Sequence, residues 1–339
     1  MEKGESIISI ALTALLVLVV LGIQRQWNGS TFRSMASSAE DFVLKTTGLR
    51  NRIPELPGDE RVRAFHMGSY SAALYRASPA PLVFAAYRFV IFGLHNQPLF
   101  KADSIEASTS PWTTLYDFAG RHGLPDYSRR GRPVYTRDLA ADGSPDTLLG
   151  QYSGGDHCCT TVTVIELNND KAKVLGKISG LDGLPFEGLE IHHLDHNSTW
   201  DLVVHRPYRT VCGLHSDAAD VISIYAYQRG QSGQSGQSGQ SGQNDKFTDQ
   251  TQRFQPFLDR VLKDNLAQWN RSKDRSLHLL QSLAADYASV GKASQGEQFF
   301  QQNLPAFYPQ LKAAGVDPQA CAQGVANLVN SIAAKTAQK

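Results

Sequence analysis

Two stretches of the chain carry the same pattern of polar residues. They are "RDLAADGSPDTLLG", which starts at Arg137, and "HHLDHNSTWDLVVH", which starts at His192, so they are 55 residues apart. Each contains an aspartate that directly precedes an apolar run, which predicts a polar loop leading into a strand. An offset of this length fits one four-stranded unit, so the sequence predicts an internal repeat of such units in this region.

The polar residues of both loops are of the kind that binds a hard cation. Carboxylate and amide oxygens that alternate in a tight turn can converge on one calcium ion, and Gly143 permits the sharp turn. The first loop has three carboxylates and the second has two and an amide, so we expect the first to be the better site. The candidate ligands are Asp138, Asp142 and Asp146 in the first loop and Asp195, Asn197 and Asp201 in the second.

Both loops resemble the FG-GAP/VCBS-type repeats of β-propellers and integrin-like heads, whose pattern is Asp-x-Asp-x-Asp-Gly-x-x-Asp before an apolar strand. The first loop departs from it at Ala140, and the second at His193 and Ser198. The segment "YSGGDHCC" from Tyr152 is similar to the "SGGAHCC" turn of uncharacterised exported bacterial proteins. Over the segment 132–228, the resemblance implies a β-repeat fold; we expect no cofactor other than calcium, which is a candidate for these loops.

Two visible repeats cannot close a propeller, which typically needs four or more blades. The segment from Arg61 to Gln228 has room for three such units at most. We therefore predict an open, partial propeller-like stack of antiparallel sheets, or a compact β-domain of related design. Its exposed edges need covering, either by other parts of the chain or by a partner protein.

The N-terminus predicts a single membrane helix. Residues 7–23 contain no charged side chain and are mostly aliphatic, and Trp27 follows as an interfacial anchor. A cleaved signal peptide is the alternative, but the nearest run of small residues begins only at Met35. We assign residues 1–27 to an anchor and 28–60 to a tether. Lysine and arginine are found on both sides of the helix and do not decide its orientation. The resemblance to exported bacterial proteins implies a single-pass protein of the inner membrane with the bulk of the chain on the periplasmic side.

The stretch from Tyr152 to Cys159 is the main candidate for enzyme chemistry. A serine nucleophile is disfavoured because Gln151 occupies the position of the first glycine of Gly-x-Ser-x-Gly. A transition-metal site is the sharper alternative, although no Cys-x-x-Cys pair is present. In an oxidising compartment Cys158 or Cys159 could form a disulfide with Cys212, which would leave Cys321 as a lone core residue.

The remaining segments complete the domain assignment. Residues 61–247 form the predicted β-repeat domain, with a flexible Ser-Gly-Gln-rich insertion at 230–245 between two strands of one hairpin. Apolar residues recur at helical spacing in 248–339, which predicts a helical domain. "PLVFAAYRFVIFG" from Pro81 predicts one or two buried strands, and "SPWTTLYDFAG" from Ser110 predicts a short helix.

These patterns together predict an α+β protein and a function. The chain has 33 basic and 32 acidic residues, so no global charge argues for binding to nucleic acid. We expect a membrane-anchored extracytoplasmic binding or structural module that is not an enzyme. An accessory subunit of a larger membrane assembly is the specific form we consider, with a protein partner in the membrane or envelope. A metal-dependent enzyme that uses the His/Asp/Cys-rich loops is the alternative.

Overall fold

The structure is a computed structural model with strands first and helices after, which makes it an α+β protein. The predicted membrane helix and residues 231–245 of the predicted insertion lie outside the residues that it describes. These residues are 53–77, 84–93, 95–107, 112–118, 134–152, 160–168, 171–181, 183, 185–195, 197–213, 218–230, 246–273 and 275–337.

The described strands form three antiparallel sheets, each built from four strands that are consecutive in sequence. Sheet 1 consists of β1 (Asp59–Met67), β2 (Tyr70–Ala77), β3 (Phe84–Phe92) and β4 (Pro98–Ala107). Sheet 2 consists of β5 (Thr114–Leu115), β6 (Asp146–Tyr152), β7 (Thr160–Asn168) and β8 (Lys171–Leu181). Sheet 3 consists of β9 (Leu189–His192), β10 (Asp201–Tyr208), β11 (Ala219–Gln228) and β12 (Lys246–Asp249).

Sheet 2 lies between the other two and is buried on both faces. Successive side chains of a strand point to opposite faces, and β6 shows this directly. Leu149 packs towards sheet 1 with Phe89 and Ile91, whereas Leu148 packs towards sheet 3 with Leu202. The apolar strands that follow the two repeated loops, β6 and β10, therefore contribute side chains to the hydrophobic cores between neighbouring sheets.

The outer face of sheet 1 is covered by residues that precede β1. Ile53 and Leu56 pack with Tyr75 and Phe92, and the Tyr75 hydroxyl donates a hydrogen bond of 2.5 Å to the Pro54 carbonyl. Only 6% of Ile53 is exposed. The end of the segment predicted to be a tether is thus part of the folded stack.

The outer face of sheet 3 is covered by helices. Phe254 and Leu258 pack on Val203 and Ile224, and all residues of the second helix from 279 to 286 are buried between β11 and the other helices. The helices are α1 (Gln255–Arg271), α2 (Leu277–Ser289), α3 (Ala293–Asn303), α4 (Tyr308–Ala313) and α5 (Pro318–Ala337), with 3-10 turns at Thr251–Phe254 and Leu304–Phe307.

Two local predictions have opposite outcomes. The hairpin across the insertion is confirmed, because Tyr225–Gln228 pair antiparallel with Lys246–Asp249. The helix predicted to follow Ser110 is wrong, because Thr114–Leu115 form β5 and pair with β6. Thr113 and Thr114 are β-branched and buried, so pairing with sheet 2 overrides the weak helix-start signal.

Gly176 allows sheets 2 and 3 to approach each other closely. A Cβ atom there would lie 3.1 Å from both the Cβ and the carbonyl oxygen of Phe247 in β12. We expect Gly176→Val to separate the sheets and to lower the free energy of unfolding by about 1–3 kcal/mol. Urea denaturation measures the loss, and Lys177→Val, at an exposed position of the same strand, should change stability by about 0.5 kcal/mol or less. Equal losses in both variants would contradict the close approach.

Candidate functional site

The first repeated loop closes on the carboxylate of Asp146. The backbone N–H groups of Leu139 and Ala140 donate hydrogen bonds of 2.7 Å and 3.2 Å to Asp146 Oδ2. Asp146 is the first residue of β6 and is fully buried. Because Asp146 is held at the start of a strand in the central sheet, its two hydrogen bonds connect the beginning of the loop to its end.

The other two candidate ligands of this loop also accept hydrogen bonds from the backbone. Asp138 accepts the N–H groups of Asp142 and Gly143 at 3.1 Å and 2.9 Å, and Asp142 accepts the N–H of Ser144 at 2.8 Å. Gly143 has a φ of 92°, which favours glycine. All three carboxylates thus shape the turn.

The second loop repeats these contacts at the same offset. The N–H of Leu194 donates to Asp201 Oδ2 at 3.0 Å, as Leu139 does to Asp146. The N–H of Thr199 donates to Asn197 Oδ1 at 3.0 Å, as Ser144 does to Asp142. The repeat read from the sequence is therefore also a repeat of local structure.

The two loops are in direct contact through Trp200. Its backbone N–H donates a hydrogen bond of 2.9 Å to the carbonyl of Leu139 in the first loop. The guanidinium of Arg137 lies 4.2 Å from the centre of the Trp200 ring, and the ring of His193 lies 3.6 Å from it. The structure thus brings the six candidate ligands into one joined pair of loops.

Arg253 is a charged partner of the second loop that the sequence analysis missed. Its guanidinium forms an ion pair with Asp195, the residue at the middle acidic position of the repeat pattern. Arg253 belongs to the 3-10 turn that begins the helical segment, so the pair joins this segment to the loop. No sequence spacing links residues so far apart, and only the fold brings them together.

Burial dominates the electrostatics of both loops. The pKa of Asp146 is raised from 3.8 to about 8, because burial and, to a smaller extent, the nearby carboxylates of Asp142 and Asp138 outweigh the lowering effect of its two backbone hydrogen bonds. Burial also raises the pKa of Asp201. One oxygen each of Asp146, Asp195 and Asp201 is buried and has no hydrogen-bond partner among the described residues.

Cys212 and Cys321 form a disulfide between the loop after β10 and helix α5, with their Cα atoms 4.3 Å apart. The prediction that Cys212 pairs with Cys158 or Cys159 is therefore wrong, as is the prediction of a lone Cys321. The packing of α5 beside sheet 3 brings Cys321 next to Cys212 and produces the observed pairing. Cys158 and Cys159 lie outside the described residues.

No group of three or more His, Cys, Asp or Glu side chains in the described ranges is arranged to hold a metal ion, and the candidate carboxylates instead bind the backbone and Arg253. None of the helices described here has both the length and the apolar character needed to cross a membrane. No family model, curated protein or solved structure matches the chain.

Proposed function

We propose that this protein is a membrane-anchored, extracytoplasmic binding module. The observation that carries the proposal is the disulfide between Cys212 and Cys321, since disulfides form and persist in oxidising compartments. The apolar segment 7–23, ahead of the described residues, has the composition of a membrane anchor. Together they favour a folded part outside the cytoplasm, which for a bacterial inner-membrane protein is the periplasm.

We further propose that the three sheets are blades of an open, propeller-like stack of FG-GAP/VCBS-type repeats. Support comes from the recurring hydrogen bonds to Asp146 and Asp201 and from four consecutive strands in each sheet. The chain itself covers both outer faces, so a partner protein would contact the strand edges. The last strands of sheets 1 and 2 approach each other and carry the exposed apolar side chains of Ile105 and Val174.

The test uses the full-length chain in its native membrane. After extraction with mild detergent, we expect it to migrate as a complex larger than itself. The double substitution Ile105→Asp and Val174→Asp should abolish the complex, whereas Val211→Asp, at an exposed position in the loop after β10, should not. A chain that migrates alone would contradict the role as a subunit. N-terminal sequencing checks the anchor, and a mature end near Ser37 would contradict it.

Calcium binding is a second proposal and concerns the first loop alone. The unpartnered oxygen of Asp146 and the repulsion from Asp138 and Asp142 favour a cation here. In the second loop Arg253 already supplies a positive charge to Asp195. As the side chains stand they are not arranged as a metal site, so binding would require them to exchange backbone hydrogen bonds for the ion.

The calcium proposal is tested by thermal unfolding with and without calcium. A ligand at about ten times its Kd adds about 1.4 kcal/mol of stability, which should raise the Tm by a few degrees. Asp142→Ala should remove this shift, whereas Asn197→Ala in the second loop should keep it. The absence of any shift in the wild-type protein at millimolar calcium would leave the loop as a turn without a metal role.

A further inference from the structure

A line of titratable side chains crosses the face of sheet 3 that contacts the helices. In β9, one carboxylate oxygen of Glu190 lies 2.7 Å from His192 Nε2. The other lies 3.8 Å from His205 Nε2 in β10. On the opposite side of the same imidazole, His205 Nδ1 lies 2.7 Å from a carboxylate oxygen of Asp220 in β11.

Asp286 of helix α2 continues this line of titratable side chains across the contact between sheet 3 and the helix. Asp286 is 7% exposed and accepts a hydrogen bond of 2.7 Å from Asn265 Nδ2 of α1. One turn earlier in α2, Ser282 Oγ accepts the backbone N–H of Asp220 at 2.9 Å, which joins the helix directly to β11. We call the set of His192, Glu190, His205, Asp220 and Asp286 the polar seam.

The negative charges of the carboxyl groups in the polar seam are compensated only when groups of the seam are protonated. The charged groups that face His205 are Asp220, Glu190 and Asp286. Those that face Asp286 are Asp220 and His205, with Asn265 as a neutral partner. Within the described part of the chain no lysine or arginine is among these neighbours, so the imidazoles are the positive charges available there to three carboxyl groups.

The pKa directions agree with this geometry. The hydrogen bond to Asp220 raises the pKa of His205. Burial raises the pKa of Asp286 to about 7, and the negative charge of Asp220 raises it as well. Both groups therefore keep their protons in the folded protein at a pH where the unfolded chain has released them.

We propose that the polar seam is a proton-operated latch that holds α2 on sheet 3 at acidic pH and loosens it as the pH rises past neutrality. In the closed state a protonated His205 donates to Asp220 and faces Glu190, while Asp286 is neutral. Loss of these protons leaves Asp220, Glu190 and Asp286 as neighbouring negative charges, and the repulsion acts directly across the contact between α2 and β11.

Two features of the surrounding fold confine this opening to the interface. The disulfide from Cys212 to Cys321 keeps α5 attached to the loop before β11 when α2 loosens. A cavity of about 410 Å³ between β11, the 3-10 turn and the end of α2 is lined by Val221 and Ser289, so this end of the helix is not closely packed against the strand. Loosening would enlarge this cavity without unfolding sheets 1 and 2.

Amide hydrogen exchange on the full chain in mild detergent tests the latch, with protection corrected for the intrinsic effect of pH. Between pH 5.5 and pH 8 we expect protection of residues 277–289 to fall about ten-fold, the effect of about one pKa unit, while that of β3 stays constant. Asp286→Asn should remove most of the fall. His205→Gln should lower protection at pH 5.5 to the level seen at pH 8. His95→Gln, an exposed histidine beside sheet 1, is the matched control and should behave as wild type.

Three results would overturn the latch. They are protection of α2 that is independent of pH, an equal loss in all three sheets, and a wild-type pH profile in both Asp286→Asn and His205→Gln. If either substitution, at the buried Asp286 or the half-buried His205, prevents folding, Glu190→Gln at the more exposed end of the polar seam replaces it. That variant should also reduce the difference between the two pH values, and a wild-type profile there would contradict the proposal.

Discussion

Replacing both Cys212 and Cys321 by alanine should lower the free energy of unfolding by about 3–5 kcal/mol, which corresponds to roughly 10 °C in Tm. The disulfide joins residues 109 positions apart, and closure of so long a loop restricts the unfolded chain strongly. Both cysteines are fully buried, so alanine leaves little new strain. Urea denaturation of the wild-type protein and of the double variant measures the difference.

Reductant provides the control for this result. Dithiothreitol should destabilise the wild-type protein by a similar amount and should leave the double variant unchanged. Because Cys158 and Cys159 remain in that variant, any response of it to reductant reports on those two residues alone. A loss below about 1 kcal/mol in the double variant would mean that α5 is held by packing rather than by the disulfide.

Asp146→Asn should remove a large part of the pH dependence of stability. The pKa of Asp146 rises from 3.8 in the unfolded chain to about 8 in the folded protein. Between these values the folded state holds a proton that the unfolded state has lost, so stability falls as the pH rises from about 4 to about 8. The full effect is on the order of 6 kcal/mol at most, and asparagine, which cannot ionise, should abolish it.

Denaturation at pH 5, 6, 7 and 8 measures this slope. Asparagine still accepts the N–H groups of Leu139 and Ala140, whereas Asp146→Ala loses both hydrogen bonds and should be about 2–3 kcal/mol less stable than Asp146→Asn at every pH. Calcium bound at the first loop would keep Asp146 ionised and flatten the wild-type slope. A slope in Asp146→Asn equal to that of the wild-type protein would contradict the assignment to this carboxyl group.

The repeat could be predicted from the sequence because its determinants are local. The offset between Asp146 and Asp201 correctly aligned two hydrogen bonds that the structure shows at equivalent positions. The hairpin across the Ser-Gly-Gln-rich insertion was also predictable, because strand patterns flank it on both sides. Sheet 1 has no such loop, because β1 and β2 are joined by only Gly68 and Ser69. The length of the segment left room for a third unit, but no sequence motif identified it.

The partners of the polar residues could not be predicted. A carboxylate such as Asp138 has the same sequence signature whether it binds a cation or accepts backbone N–H groups, and the structure shows the second arrangement. The ion pair of Asp195 with Arg253 and the disulfide of Cys212 with Cys321 both join distant segments that only the packing of the helices on sheet 3 brings together. Sequence alone does not determine such connectivity.

The redox state of Cys212 and Cys321 in native membranes tests most directly the proposal that the folded part lies outside the cytoplasm and is cross-linked by this disulfide. Free thiols are alkylated before lysis, the protein is digested without reduction, and the peptides are identified by mass spectrometry. We expect one cross-linked pair that contains both residues and no alkylated form of either. Alkylation of both, or a bond from Cys212 to Cys158 or Cys159, would contradict the proposal of an extracytoplasmic module closed by this disulfide.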